Sequence, residues 1–96
     1  MSIIVYSKEG CVYCDKAKSL LDDLQVPYKV HVLNPSDTDY VHKKEMLFDK
    51  HNHRSFPLIY IGDTFIGGYI DLQHSVATLR FHELAKQIGI EVPLEF

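Results

Sequence analysis

Ninety-six residues, 46% hydrophobic and 24% charged, with a formal charge of −3 spread over both signs, describe one globular domain over residues 1–96 with no room for a second core. This composition excludes disorder and fibrous repeats, and without a Lys/Arg cluster interleaved with aromatics no nucleic-acid partner is expected. A chain of this length buries about 60% of its unfolded surface and folds without disulfide staples, which leaves its two cysteines free for chemistry.

The first element is the apolar run Ile3-Ile4-Val5-Tyr6, which reads as a short buried strand. These four residues are too few for a signal peptide, and no stretch approaches the ~18 apolar residues of a membrane span. The expected setting is the reducing cytoplasm, off the membrane, where a Cys-x-x-Cys pair serves catalysis or metal binding more readily than structure. Gly10 turns the chain, Cys11-Val12-Tyr13-Cys14 follows, and Ala17, Leu20, Leu21 and Leu24 then recur at helical spacing. The pair therefore sits at a strand-to-helix junction. If Cys11 begins the helix, Cys14 lies one turn on, with the Cα atoms roughly 5 Å apart, a separation that suits a disulfide. Cys11 then faces the unpaired N–H groups at the positive end of the helix, with Cys14 behind it. A free thiol is only about 3% ionised at pH 7, and a helix N-terminus or a nearby cation lowers its pKa to roughly 3.5–7.5, so Cys11 is the expected nucleophile. Lys8, three residues upstream, either adds a positive charge there or points to water.

The helix fades near Gln25, and Tyr28 to Leu33 alternates as a second strand, parallel to the first in a right-handed crossover. Asn34-Pro35-Ser36-Asp37 breaks that pattern, and Ser36 or Asp37 is the predicted cap of a helix running to about Lys50, with Val41, Leu47 and Phe48 turned inward. Leu58 to Ile61, the turn Gly62-Asp63, and Thr64 to Ile66 form a hairpin. Asp71 then caps one last helix, with Leu72, Val76, Leu79, Leu84 and Ile88 on its buried side and Gly89 at its end. Two features carry a structural and a functional reading alike. Pro57 precedes the third strand, where a proline is tolerated, and Gly67-Gly68 either ends the hairpin or lets a ligand approach the backbone.

The order β-α-β-α-β-β-α with Cys-x-x-Cys opening the first helix resembles a glutaredoxin of the dithiol type. The likeness covers nearly the whole chain: Lys8 before the motif, Cys11-Val12-Tyr13-Cys14, Ser55-Phe56-Pro57 in the position of the family's Thr-Val-Pro segment, and Gly67-Gly68 with Asp71 beyond. It implies an α/β thioredoxin fold, a mixed four-stranded sheet flanked by three helices, and a thiol–disulfide oxidoreductase with catalytic Cys11 and Cys14, glutathione as reductant and no metal. The resemblance makes Pro57 a cis proline beside the redox pair and leaves the Phe56 backbone to pair with the cysteinyl part of glutathione. It also sets Lys8 at the glycyl carboxylate, Gly68 against the ligand backbone, Asp71 with its helix N-terminus at the γ-glutamyl end, and Tyr13 beside the sulfur. Arg54 and Lys44 are weaker candidates. The implied partners are glutathione and disulfide-containing or glutathionylated proteins, ribonucleotide reductase among them, served by a monomer.

Two positions depart from the family pattern. Val12 replaces the usual proline between the cysteines and restores an N–H near Cys11, and Phe56 adds an aromatic face where valine is usual. Other readings compete. A thioredoxin-like carrier reduced by thioredoxin reductase is favoured by Val12 and opposed by Lys8, Gly67-Gly68 and Asp71. A zinc site could combine His51-Asn52-His53 with the two cysteines, although His-x-His in a polar loop is more often a wet turn. An iron–sulfur cluster shared by two chains through Cys11 and glutathione is known in part of the family. His31, His42, His74 and His82 read as surface residues.

Overall fold

Hydrophobic alternation and helical spacing convert into eight elements in the computed structural model, which describes residues 1–93. They are β1 (Ile3–Lys8), α1 (Val12–Asp23), β2 (Lys29–Leu33), α2 (Tyr40–His51), β3 (Leu58–Ile61), β4 (Thr64–Gly67), α3 (Tyr69–Ala77) and α4 (Arg80–Gln87). The strands form one sheet in the order β2-β1-β3-β4, with β1 parallel to β2 and antiparallel to β3, and β3 antiparallel to β4. This is the mixed thioredoxin-type sheet that the resemblance implies.

Pairing of Val5 with Ile59 and of Tyr6 with Leu58 fixes which side chains share a face. On one face Ile3, Val5, Ile59 and Ile61 pack with Ala17, Leu21 and Leu24 of α1, Leu72 of α3, and Phe81 and Ala85 of α4. The other face carries a smaller cluster in which Leu33, Leu58 and Phe48 of α2 meet Phe56 and both cysteines. In β4 the pairing slips between Tyr60–Phe65 and Ile59–Gly67, a bulge that takes up Ile66.

Two helix boundaries differ from the sequence expectation. Neither Ser36 nor Asp37 caps α2: the Asn34 side chain accepts from the Ser36 N–H at 3.0 Å and from Ser36 Oγ at 2.8 Å, closing a local turn that holds this segment out of the helix. The helix starts after Asp39, which pairs with Lys43 at 3.1 Å. Val41 is exposed, and Phe48 is the residue of α2 that is buried.

The expected single C-terminal helix is two, which makes four helices rather than three among the described residues. Thr78 Oγ1 donates to the carbonyls of His74 (3.1 Å) and Ser75 (3.3 Å), satisfying the end of α3, and Leu79 takes a left-handed conformation at φ 64° before α4 begins. Leu79 is thus 51% exposed rather than buried. On one continuous helix Leu72 and Phe81 would lie about 180° apart. The break turns both into the same core, where each is fully buried.

Candidate active site

Gly10, at φ +70° with nothing near the place of a Cβ, supplies the left-handed step that carries the chain from β1 into α1. Cys11 does not begin the helix as expected; it is the N-cap, in extended conformation at φ −100° and ψ 106°. Its sulfur takes the role of a capping oxygen, and the Cys14 amide N–H donates to Cys11 Sγ at 3.2 Å. The amide that reaches the sulfur is therefore that of Cys14, one turn into the helix, and not that of Val12. The two cysteines form a disulfide with Cα atoms 5.2 Å apart, in line with the spacing expected of a shared first turn. They differ in access: Cys11 is 9% exposed and Cys14 fully buried.

A groove of about 270 Å³ is lined by Tyr13, which stands between the cysteines in sequence, and by Phe56, which shares a cluster with both of them, though neither cysteine lines it. Five of the six residues expected around a ligand line it: Tyr13, Phe56, Pro57, Gly68 and Asp71. The sixth, Lys8, ends β1 and stands over the Phe56 ring, with Nζ 5.8 Å from the centroid, bordering the groove through that ring. The Phe56–Pro57 peptide is cis, as the resemblance implied. Asp71 is not the helix cap but the third residue of α3; its Oδ2 accepts from the N–H of Gly68, the actual N-cap, at 2.9 Å. Gly67 reaches that turn at φ +123°, and a Cβ there would run into the Asp71 carboxylate, so the glycine is required by the cap itself.

Four further residues complete the groove: Ser55, named from sequence only as part of the Ser55-Phe56-Pro57 motif, His53, weighed there only as a zinc ligand, and Tyr69 and Ile70, which were not expected at the site. Position next to a recognised motif was the available signal, since Ser55 adjoins Phe56-Pro57, and Tyr69-Ile70 lies between the glycines and Asp71. Tyr69 also meets Tyr13 across the groove, with ring centroids 6.1 Å apart.

The weaker cation candidates are engaged elsewhere. Arg54 binds Glu45 at 3.2 Å and Asp49 at 2.5 Å, and these two carboxylates hold the guanidinium above its ordinary range. Lys44 Nζ sits 5.4 Å from the Tyr40 ring. The two histidines of His51-Asn52-His53 meet the same ring differently. His51, the last residue of α2, lies flat against Phe65, centroids 3.9 Å apart at 5°, and its Nε2 is hydrogen-bonded to Tyr60 Oη, whereas His53 meets Phe65 edge-on and lines the groove. Burial, with the Lys50 and His53 charges behind it, pushes the His51 imidazole below its ordinary value. Burial, with the Tyr6 charge behind it, pushes the Tyr60 phenol up. Among the described residues no three His, Cys, Asp or Glu side chains gather where they could hold a metal ion.

Known proteins share this arrangement. The glutaredoxin family model matches residues 3–66. Human mitochondrial glutaredoxin-2 is 34% identical over 89 residues, covering 92% of this chain and 49% of that one, so the chain spans about half the length of that relative. Glutaredoxin 1 of Rickettsia bellii is 39% identical over 72 residues, covering 74% and 72%. Among solved structures, a buckwheat glutaredoxin–glutathione complex superposes with a TM-score of 0.84 at 25% identity, over 92% of this chain and 79% of that one. Oxidised glutaredoxin 2 from Chlamydomonas reinhardtii does so at 0.79 and 31% identity, over 92% and 82%. Agreement of sequence and of fold over this much of the molecule is specific: the chain belongs to the glutaredoxin family.

Proposed function

We propose that this protein is a glutathione-dependent dithiol oxidoreductase that reduces protein disulfides and glutathione mixed disulfides. The observation that carries the proposal is the inequality of the two cysteines: Cys11 keeps 9% of its surface exposed and its sulfur accepts a helix amide, while Cys14 is fully buried. The Cys11 thiolate attacks one sulfur of a substrate disulfide and expels the other as a thiolate, forming a mixed disulfide. The Cys14 thiolate then attacks Cys11 Sγ, releases the second substrate thiolate and leaves the Cys11–Cys14 bond. One glutathione thiolate opens that bond at Cys11, the accessible sulfur, and Cys14 leaves and takes a proton. A second glutathione attacks the glutathione sulfur, frees oxidised glutathione and restores the Cys11 thiolate. With a glutathionylated substrate Cys11 alone accepts the glutathionyl group, and one further glutathione resolves it.

Glutathione fits the groove by its charges. Its glycyl carboxylate meets Lys8, its cysteinyl part pairs with the Phe56 backbone beside Pro57 and Tyr13, and its γ-glutamyl end lies against Gly68, the first turn of α3 and Asp71. The glutathione complex formed by the buckwheat glutaredoxin supports glutathione as the ligand. A monomer suffices, because one chain supplies both thiols and the whole groove. The proposed setting is the cytoplasm, with ribonucleotide reductase among the electron acceptors by family resemblance.

A coupled assay with a glutathionylated peptide tests the assignment. Turnover of NADPH is expected with glutathione and glutathione reductase and not with thioredoxin reductase alone; the opposite result would make the protein a thioredoxin-like carrier.

A further inference from the structure

His53 stands in the groove with no part in the scheme above. It follows Asn52, which ends α2 in the left-handed conformation at φ 51°, and its amide N–H donates to the Phe48 carbonyl at 3.1 Å, so its backbone is anchored to the helix. The ring meets Phe65 edge-on at 5.6 Å, and Nε2 lies 3.3 Å from Ser55 Oγ. A Cβ on Gly68 would stand 3.3 Å from the same nitrogen. The missing side chain at position 68 therefore gives the imidazole its place against the mouth of α3.

The charged and titratable groups around it come from each wall. Asp71 of α3 lies in the same groove with its carboxylate on the Gly68 N–H, and the phenols of Tyr13 and Tyr69 face across it. From α2, His51 is close enough for its charge and that of His53 to repel each other. The neighbouring Arg54 is committed to Glu45 and Asp49, and Lys8 stands over Phe56. Among the described residues lining the groove, His53 is the one that can become a cation.

We propose that His53 is a specificity-determining contact of this site, pairing in its protonated form with a carboxylate of bound glutathione, so that the tripeptide is held more tightly as the pH falls towards 6. The inference rests on the glutathione reading above. Histidine is the side chain whose charge changes within the physiological range, and an imidazolium on a carboxylate makes a charge-assisted hydrogen bond. The groove is open to water, so the gain is modest.

S-methylglutathione keeps both carboxylates and the ammonium but has no thiol to titrate, so calorimetric titration into the oxidised protein at about pH 8 and about pH 5.5 isolates the protein's contribution. The wild type is expected to bind roughly two- to fivefold more tightly at the lower pH. His53→Gln keeps a polar partner for Ser55, loses the gain and matches the wild type at the higher pH; His53→Lys holds the tighter affinity at both. Equal wild-type affinity at the two pH values, or a gain that survives in His53→Gln, overturns the inference and leaves the glutathione reading standing. Absence of binding at either pH sinks both.

Discussion

On one face of the sheet, Ile3, Val5, Ile59 and Ile61 are closed in by α1, α3 and α4 with Leu21, Leu72 and Phe81, a core made of hydrocarbon. On the other, Leu58 and Phe48 share a smaller cluster with Cys11, Cys14 and Phe56, flanked by the polar aromatics His51 and Tyr60 around Phe65. Apolar burial is non-directional and scales with area, so the first face can hold the fold whatever happens at its edges. The second face has one helix over it and ends at the groove. Its groups carry protons, sulfur and a ligand surface, and its stability is given up where reactivity requires exposure. Changes confined to one face should therefore leave the property of the other intact.

The sharpest break of this division lies at the sulfurs. Cys11→Ser should lower reduction of both protein disulfides and glutathionylated substrates by at least ~100-fold, since a hydroxyl supplies no comparable nucleophile near neutral pH. Cys14→Ser should lose the first activity and keep the second, because glutathione can resolve the intermediate without it. Steady-state rates on the two substrate types decide this, and equal loss in both variants would refute the division of roles. On the opposite face, Phe81→Ala empties a fully buried site and should cost about 3–5 kcal/mol in urea unfolding. The folded fraction should still alkylate at Cys11, after reduction, at the wild-type rate. If that rate falls with stability, the two faces are one cooperative unit in function as well as in folding.

The same division explains what could be read from sequence. The order of the elements along the chain, the crossover and the junction holding Cys11-Val12-Tyr13-Cys14 were legible because they rest on local signals: a period of two, a period near 3.6, and a glycine between them. Phe56-Pro57 and Gly67-Gly68 were legible as motifs. The break at Thr78-Leu79 was not, because leucine is neither a cap nor a turn residue, and the spacing of Leu72, Val76 and Leu79 continues a single helix without interruption. Burial of Phe81 and Ala85 decides that break, and burial is a property of the assembled core. His53 was hidden for a related reason. Its neighbour in sequence, His51, stacks on Phe65, and the left-handed turn at Asn52 sets His53 edge-on to the same ring, on the side that lines the groove. A His-x-His string does not encode that divergence.

A smaller effect separates fold from ligand at a single residue. Asp71→Ala removes the acceptor of the Gly68 N–H and should cost about 1 kcal/mol of stability, together with a raised KM for glutathione. Asp71→Asn keeps an acceptor oxygen but not the charge, so stability should largely recover while the KM stays high. Recovery of both in Asp71→Asn would assign the residue to the cap alone.

The smallest effect tests whether the second face is the one that responds to protons. Burial holds the His51 imidazole below its ordinary value, with Lys50 and His53 adding repulsion, so the folded state keeps the ring neutral where the unfolded chain begins to take up a proton. The unfolded state thus binds more protons, and stability rises with pH. The contribution is complete above the unfolded value of about 6.5 and is lost as the pH falls through the lower folded value. In the neutral Nδ1–H tautomer Nε2 accepts from the Tyr60 hydroxyl, and in the Nε2–H tautomer it donates to Tyr60 Oη; protonation makes Nε2 a donor in either case. The urea midpoint should fall as the pH is lowered from about 7.5 to about 5.5, and His51→Gln should shrink that fall. A fall of unchanged size in His51→Gln would mean that this face, for all its polar aromatics, is as indifferent to protons as the hydrocarbon core behind it.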